Sequence, residues 1–198
     1  LSIQIKQNEA KLDKLLVGGG EISLEVTQTG KDEYKGSATI PSWYNILPKI
    51  NDLKGLGGTI QFEASVVEEG LKGFVQTVVN KTTEQARSAV GDKLIGLSLH
   101  SSFLARKDKS IALFGLNAKL GKSEIIADVD LGTNRRLTKA SATIRQFDLS
   151  YLGTKIGGSL DGSVQINSEN GVDYAVDHNL KIDKFTLSAN EQNTPLLK

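Results

Sequence analysis

The sequence predicts a mainly β protein: an antiparallel meander of amphipathic strands curled into a trough or a sandwich, with one amphipathic helix at about 70–93. Three observations lead there. Apolar residues recur at every second position over most of the chain, the mark of strands with one wet face. Turn-forming residues break these runs at roughly 10–15-residue spacing, which suits hairpins better than βαβ units. One segment switches to intervals of three and four, the helical period.

The elements follow in order. The segment from Glu9 to Val17 fits a short helix or a strand and ends in Gly18-Gly19-Gly20. Ile22, Leu24 and Val26 begin the alternation, closed by the turn Thr29-Gly30-Lys31-Asp32. Residues 41–58 read as a loop or short helix that gathers Trp43, Tyr44, Ile46 and Leu47. Ile60, Phe62, Ala64 and Val66 form the next strand. From 70 to 93, Leu71, Phe74, Val75, Val78, Val79, Ala86, Ala89 and Val90 make a helical stripe. Lys72, Gln76, Asn80, Lys81, Glu84 and Arg87 lie opposite, and Thr82-Thr83 interrupts the run. Glu68-Glu69 suits the positive end of such a helix.

Alternation then resumes. Leu97, Leu99, Phe103 and Ala105 share a parity, with Ser101 as a polar gap, before the turn Lys107-Asp108-Lys109. Ile125, Ala127, Val129 and Leu131 alternate with Glu124, Ile126, Asp128 and Asp130, and Gly132-Thr133-Asn134 turns the chain. Ala140, Ala142 and Ile144 follow, and the parity slips at Gln146, where Phe147 and Leu149 take over. Ile156, Leu160, Val164 and Ile166 share a parity filled out by Gly158 and Gly162. After Ser168-Glu169-Asn170-Gly171, whose Asn-Gly pair signals a tight hairpin, come Val172, Tyr174, Val176, Leu180 and Ile182. A second slip falls at Asp183-Lys184. Such slips predict bulges.

Composition narrows the function. The 198 residues fit one domain, 1–198, read as a mature or excised part of a longer protein. At 38% hydrophobic and 6% aromatic, the apolar content is mostly aliphatic, which favours a smooth extended surface over a few large anchors. A formal charge of +1 with interspersed signs, and no basic run beyond Arg135-Arg136, argue against nucleic acid as a partner. With no cysteine, thiolate chemistry and Cys-based metal sites are excluded. No stretch reaches the ~18 apolar residues of a membrane-spanning helix.

No enzyme is expected, and no catalytic residue, cofactor or metal is assigned. His100 and His178 fall on the polar side or margin of their strands. There is no Gly-x-Ser-x-Gly elbow, and Gly18-Gly19-Gly20 lacks the Lys-Ser or Lys-Thr of a P-loop. Asp128-Val129-Asp130-Leu131-Gly132 has faint calcium spacing but lacks the distal Glu; it reads as the wet face of a strand entering a turn.

Two stretches carry a resemblance. Residues 137–150, LTKASATIRQFDLS, lead into 155–164, KIGGSLDGSV, with a weaker copy of the second at 53–62, LKGLGGTIQF. The pairing of a Phe-Asp-Leu-Ser strand with a glycine-rich strand resembles the AsmA/TamB-like proteins of Gram-negative envelopes. That resemblance covers about a third of the chain. It implies a curled sheet with an apolar interior, in a periplasmic protein whose parent is anchored in the inner membrane. The implied roles are phospholipid transport or outer-membrane assembly, with phospholipid or another acyl-chain lipid and outer-membrane protein machinery as partners. The helix at 70–93 departs from that pattern. It suits instead a TULIP-type lipid-binding domain, a soluble, secreted carrier. A third reading is a chaperone-like module that takes an extended client strand along an open edge.

The expected lipid-contacting surface is the inward parity: Ile60, Phe62, Leu97, Leu99, Phe103, Ile125, Val129, Ile144, Leu160, Val164, Val176 and Leu180. The stripe Leu71, Phe74, Val78 and Val79 is expected to face the same interior. Alternation is the same in an open trough and a closed sandwich, so both architectures stand at this point.

Overall fold

In the computed structural model, residues 3–6, 9–17, 20–46, 53–82, 89–152 and 155–187 are described. Twelve strands lie in one antiparallel sheet in strict sequence order. They are β1 (Ile3–Lys6), β2 (Glu9–Val17), β3 (Gly20–Gly30), β4 (Glu33–Ile40), β5 (Leu56–Val67), β6 (Gly70–Lys81), β7 (Ser98–Arg106), β8 (Ile111–Leu120), β9 (Ser123–Leu131), β10 (Leu137–Asp148), β11 (Ile156–Asn167) and β12 (Ala175–Leu187). Two short helices, α1 (Trp43–Ile46) and α2 (Ala89–Lys93), and a 3-10 turn at Leu149–Tyr151 occupy the longer connections. The first and last strands do not pair, so the sheet is open. Among the described residues each strand pairs only with its neighbours in sequence. One open sheet therefore stands where a closed sandwich was the alternative.

The helix expected at about 70–93 is absent as such. Gly70–Lys81 is strand β6, and it pairs with β5 along its whole length, from Val67↔Gly70 to Leu56↔Lys81. Glu68-Glu69 is the hairpin turn between them, not a helix start. Residues 83–88 lie outside the described set, and α2 covers Ala89–Lys93 alone. The reason is an ambiguity of period: Leu71, Val75 and Val79 are four apart, which satisfies both a helical face and one face of a strand. Composition then decides. Phe74, Val75, Thr77, Val78 and Val79 are aromatic or β-branched and favour a strand, and a hairpin partner is available next door.

The slip predicted at Gln146 is a bulge, with φ +46° and a register shift between Ile144 and Phe147. It is held from both sides. Ser123 on β9 donates its hydroxyl to the Gln146 carbonyl (2.9 Å) and accepts from the Asp148 N–H (2.9 Å), while the Asp161 carboxylate on β11 accepts from the Gln146 N–H (2.8 Å). The same device recurs two strands earlier. At Gly115 (φ +56°) on β8, the Asp128 carboxylate accepts the amide (2.7 Å) and Ser101 donates to the Phe114 carbonyl (3.3 Å). Both serines are buried, at 2% and 4% exposure, so their hydroxyls satisfy backbone groups that water does not reach. Asp128 is thus a bulge cap. The second predicted slip is also present, with Lys184 at φ +51° and the β11–β12 register shifting between Gly157 and Ser159.

The Asn170-Gly171 signal marks a turn, but not a two-residue one. The chain loops through 168–174, so Val172 and Tyr174 precede β12 instead of belonging to it. Asn170 Oδ1 accepts from the N–H groups of Val172 (2.8 Å) and Asp173 (2.9 Å), a side-chain substitute for backbone turn bonds. The ambiguous segment from Glu9 to Val17 is strand β2.

Candidate functional site

Residues paired in register point to the same side of a sheet, so the pairing sorts the two faces. One row runs Leu24–Ala38–Ile60–Thr77–Leu99–Ala118 and continues Ile125–Ile144–Gly162–Leu180. A second runs Tyr34–Ala64–Gly73–Phe103–Leu113 and continues Val129–Ala140–Ile166–Val176. These rows cross ten and nine strands with hardly a polar group. The opposite face carries Lys35, Glu63, Gln61, Gln76, His100, Asn117, Ser141 and Gln165 in the same strands. From β3 to β12 one face is predominantly apolar and the other predominantly polar.

Exposure divides the larger side chains: Ile60, Phe62, Leu99, Phe103, Ile125 and Val129 on the apolar face are half-buried, while Phe74, Val78 and Phe114 on the other face are exposed, as are Val176 and Leu180 on the apolar face of the last strand.

The two ends of this face differ. The connections after β4, β6 and β10 lie at one end, and the buried apolar residues Ile40, Leu56, Val79 and Leu149 gather there. Trp43 on α1 sits over Gly58, where an added Cβ would lie 3.2 Å from its indole nitrogen. Tyr151 stacks edge-on against Phe147 at 6.0 Å, and Lys93 Nζ donates to the Ser150 carbonyl (3.3 Å), tying α2 to the 3-10 turn. At the opposite end, Val66 and Leu71 are 51% and 37% exposed beside tight turns. The apolar face is capped at one end and open at the other.

Of the expected surface residues, Ile60, Phe62, Leu99, Phe103, Ile125, Val129, Ile144, Leu160, Val164, Val176 and Leu180 share the apolar face, as do Leu71 and Val79. Phe74 and Val78 do not: in a strand their even parity places them on the polar face, in register with Ser102 and Ser98. Leu97 precedes β7, and its carbonyl accepts from the Val79 N–H (2.8 Å). His178, expected on the polar side or margin, pairs with Val164 on the apolar face. Strand β8 contributes Ile111, Leu113, Leu116 and Ala118, which the alternation missed. The bulge at Gly115 reverses parity in mid-strand, and the lone glycine was the available signal. Thr77 interrupts the apolar face with a buried hydroxyl that has no hydrogen-bond partner.

Titratable groups are sparse here. Among the described residues no cluster of three or more His, Asp or Glu side chains is spaced to hold a metal ion. Asp148, beside the capped end, has its pKa lowered, first by the Ser150 hydroxyl and then by the Ser150 N–H (2.8 Å). Glu124 on the polar face is lowered mainly by the Asn117 amide and further by Arg145. Each is a structural carboxylate held by donors.

No protein-family model matches the chain, nor does any curated protein or solved structure.

Proposed function

We propose that the apolar face holds the acyl chains of phospholipid, and that the chain is a segment of a periplasmic protein that moves phospholipid or serves outer-membrane assembly. One observation carries the reading: a largely aliphatic face continuous from β3 to β12 of one open sheet. Apolar surface left in water costs about 25 cal/mol per Å², and acyl chains satisfy it without directional bonds. A smooth face of Ile, Leu, Val and Ala accepts chains of differing length, because contact of this kind has no register. The envelope location, the inner-membrane anchor of the parent and the outer-membrane partners rest on the resemblance of residues 137–164. No catalytic role is assigned. The TULIP-type carrier drew on a long helix where β6 now stands.

Strand β12 favours a second reading, capture of an extended client strand. All 13 of its residues are exposed, and its outer edge pairs with no described strand. Such an edge is a template for another chain.

Native mass spectrometry of the purified chain, with organic extraction of what accompanies it, tests the lipid reading. Near-stoichiometric phospholipid is expected, lost in Leu99→Asp and Val129→Asp variants that keep their circular dichroism. An apo mass that persists after incubation with phospholipid vesicles would overturn it.

A further inference from the structure

We propose that the polar face carries a binding site for an extended, neutral, β-1,4-linked oligosaccharide, built from two exposed phenyl rings and an adjoining row of amide side chains. The proposal stands independently of the lipid reading, since it uses the other side of the sheet.

The juxtaposition comes from register. Phe74 on β6 pairs with Ser102 on β7, which pairs with Phe114 on β8. Their backbone positions therefore flank a small serine at two strand spacings, about 9.5 Å, close to the disaccharide repeat of an extended β-1,4-linked chain. Both are exposed, at 37% and 45%, on the face that carries most of the amide and charged side chains. Phe114 adjoins the Gly115 bulge, a feature that re-aims neighbouring side chains. His100 extends the Phe74 platform, its ring centroid 6.1 Å away and tilted by 34°.

Two residues along β5, β6 and β7, and three along the bulged β8, runs the second row, Gln61–Gln76–His100–Asn117. Gln76 Nε2 donates to Gln61 Oε1 (2.6 Å), which fixes the orientation of both amides and leaves the Gln76 carbonyl oxygen, its other N–H and both Gln61 N–H groups for a ligand, while the Asn117 amide is held by Glu124 (2.9 Å). On the side of Phe74 away from Phe114, a shallow cleft of about 630 Å³ runs from Glu25 and Thr27 on β3 to Phe74 and Gln76 on β6. A smaller hollow of about 280 Å³ continues it past Gln61 and Gln76 to Ser98 and His100. Apolar ring faces beside amide donors and acceptors match a pyranose, whose faces are C–H-rich and whose rim is hydroxyl. A neutral ligand fits because charges of both signs flank the rows and neither dominates: Lys35 pairs with Glu63 (2.7 Å) and Arg145 with Glu124 (3.2 Å), and Lys72 and Asp128 add one of each sign.

Isothermal titration of the intact chain with chitohexaose, cellohexaose and maltohexaose tests the site. Chitohexaose or cellohexaose is expected to bind, with the coiled α-linked maltohexaose at least tenfold weaker. Phe74→Ala, Phe114→Ala and the blocking variant Ser102→Arg should each weaken binding at least tenfold. All three positions are exposed, so the fold persists, and circular dichroism checks it. The proposal is overturned if neither β-linked hexamer binds, if maltohexaose binds as tightly, or if affinity is unchanged in the three variants.

Discussion

Phe62 and Phe103 lie on one face of the sheet, and Phe74 and Phe114 on the other, yet the first pair is half-buried and the second exposed. The cross-strand neighbour explains the difference. Phe62 pairs with Gly36 and Phe103 with Gly73, and each ring lies across its glycine: an added Cβ would stand 2.5 Å from Phe62 Cζ and 2.8 Å from Phe103 Cζ. Phe74 is flanked by Glu63 and Ser102, so its ring finds no slot and stands clear. In a single-layer sheet, burial is decided by the partner strand. The glycines that thin these strands are seats for aromatic rings.

The comparison breaks first at the seats. Gly73→Val is expected to cost about 2–3 kcal/mol, because the new side chain meets both the Phe103 ring and the Glu63 carbonyl. The midpoint of thermal unfolding should fall by about 4–10 °C. The rings themselves come next. Phe103→Ala should cost about 2 kcal/mol, less than a fully buried phenyl, whereas Phe114→Ala should stay within ~0.5 kcal/mol. Equal losses in urea titrations of the two variants would show that the faces do not differ as described.

A smaller effect sharpens the picture on the apolar side. Thr77→Val removes a buried hydroxyl with no partner, and a gain of about 1 kcal/mol is expected, read as a midpoint raised by about 2–4 °C. An unchanged or lowered midpoint would mean the hydroxyl is satisfied by water. The smallest effect concerns Asp148, whose folded pKa lies below its ordinary 3.8. A depressed carboxylate stabilises above that value and loses its contribution as pH falls through the folded pKa. Asp148→Asn should therefore be slightly less stable than the parent at pH 7, with the gap closing below about pH 3.8. A gap independent of pH would assign the effect to shape instead of charge.

Much of this was legible in the residues. The parities of Leu99 and Phe103, of Ile125 and Val129, and of Leu160 and Val164 placed them together, because a strand's side chains alternate whatever it pairs with. The slips at Gln146 and Lys184 were visible for the same reason. Residues 70–81 were not, since Leu71, Val75 and Val79 satisfy two periods at once. Strand β8 escaped because the bulge at Gly115 reverses its alternation.

The sequence by itself determined that the chain is mainly β, where most strands turn, and which residues of most strands share an apolar face. These follow from local geometry and need no partner. Only the tertiary structure decided that the sheet is one open layer, that Gly70–Lys81 is a strand, and that Phe74 and Phe114 stand together on the polar side. Those outcomes depend on which strand lies beside which and in what register, and hydrogen bonds between residues distant in the chain fix both.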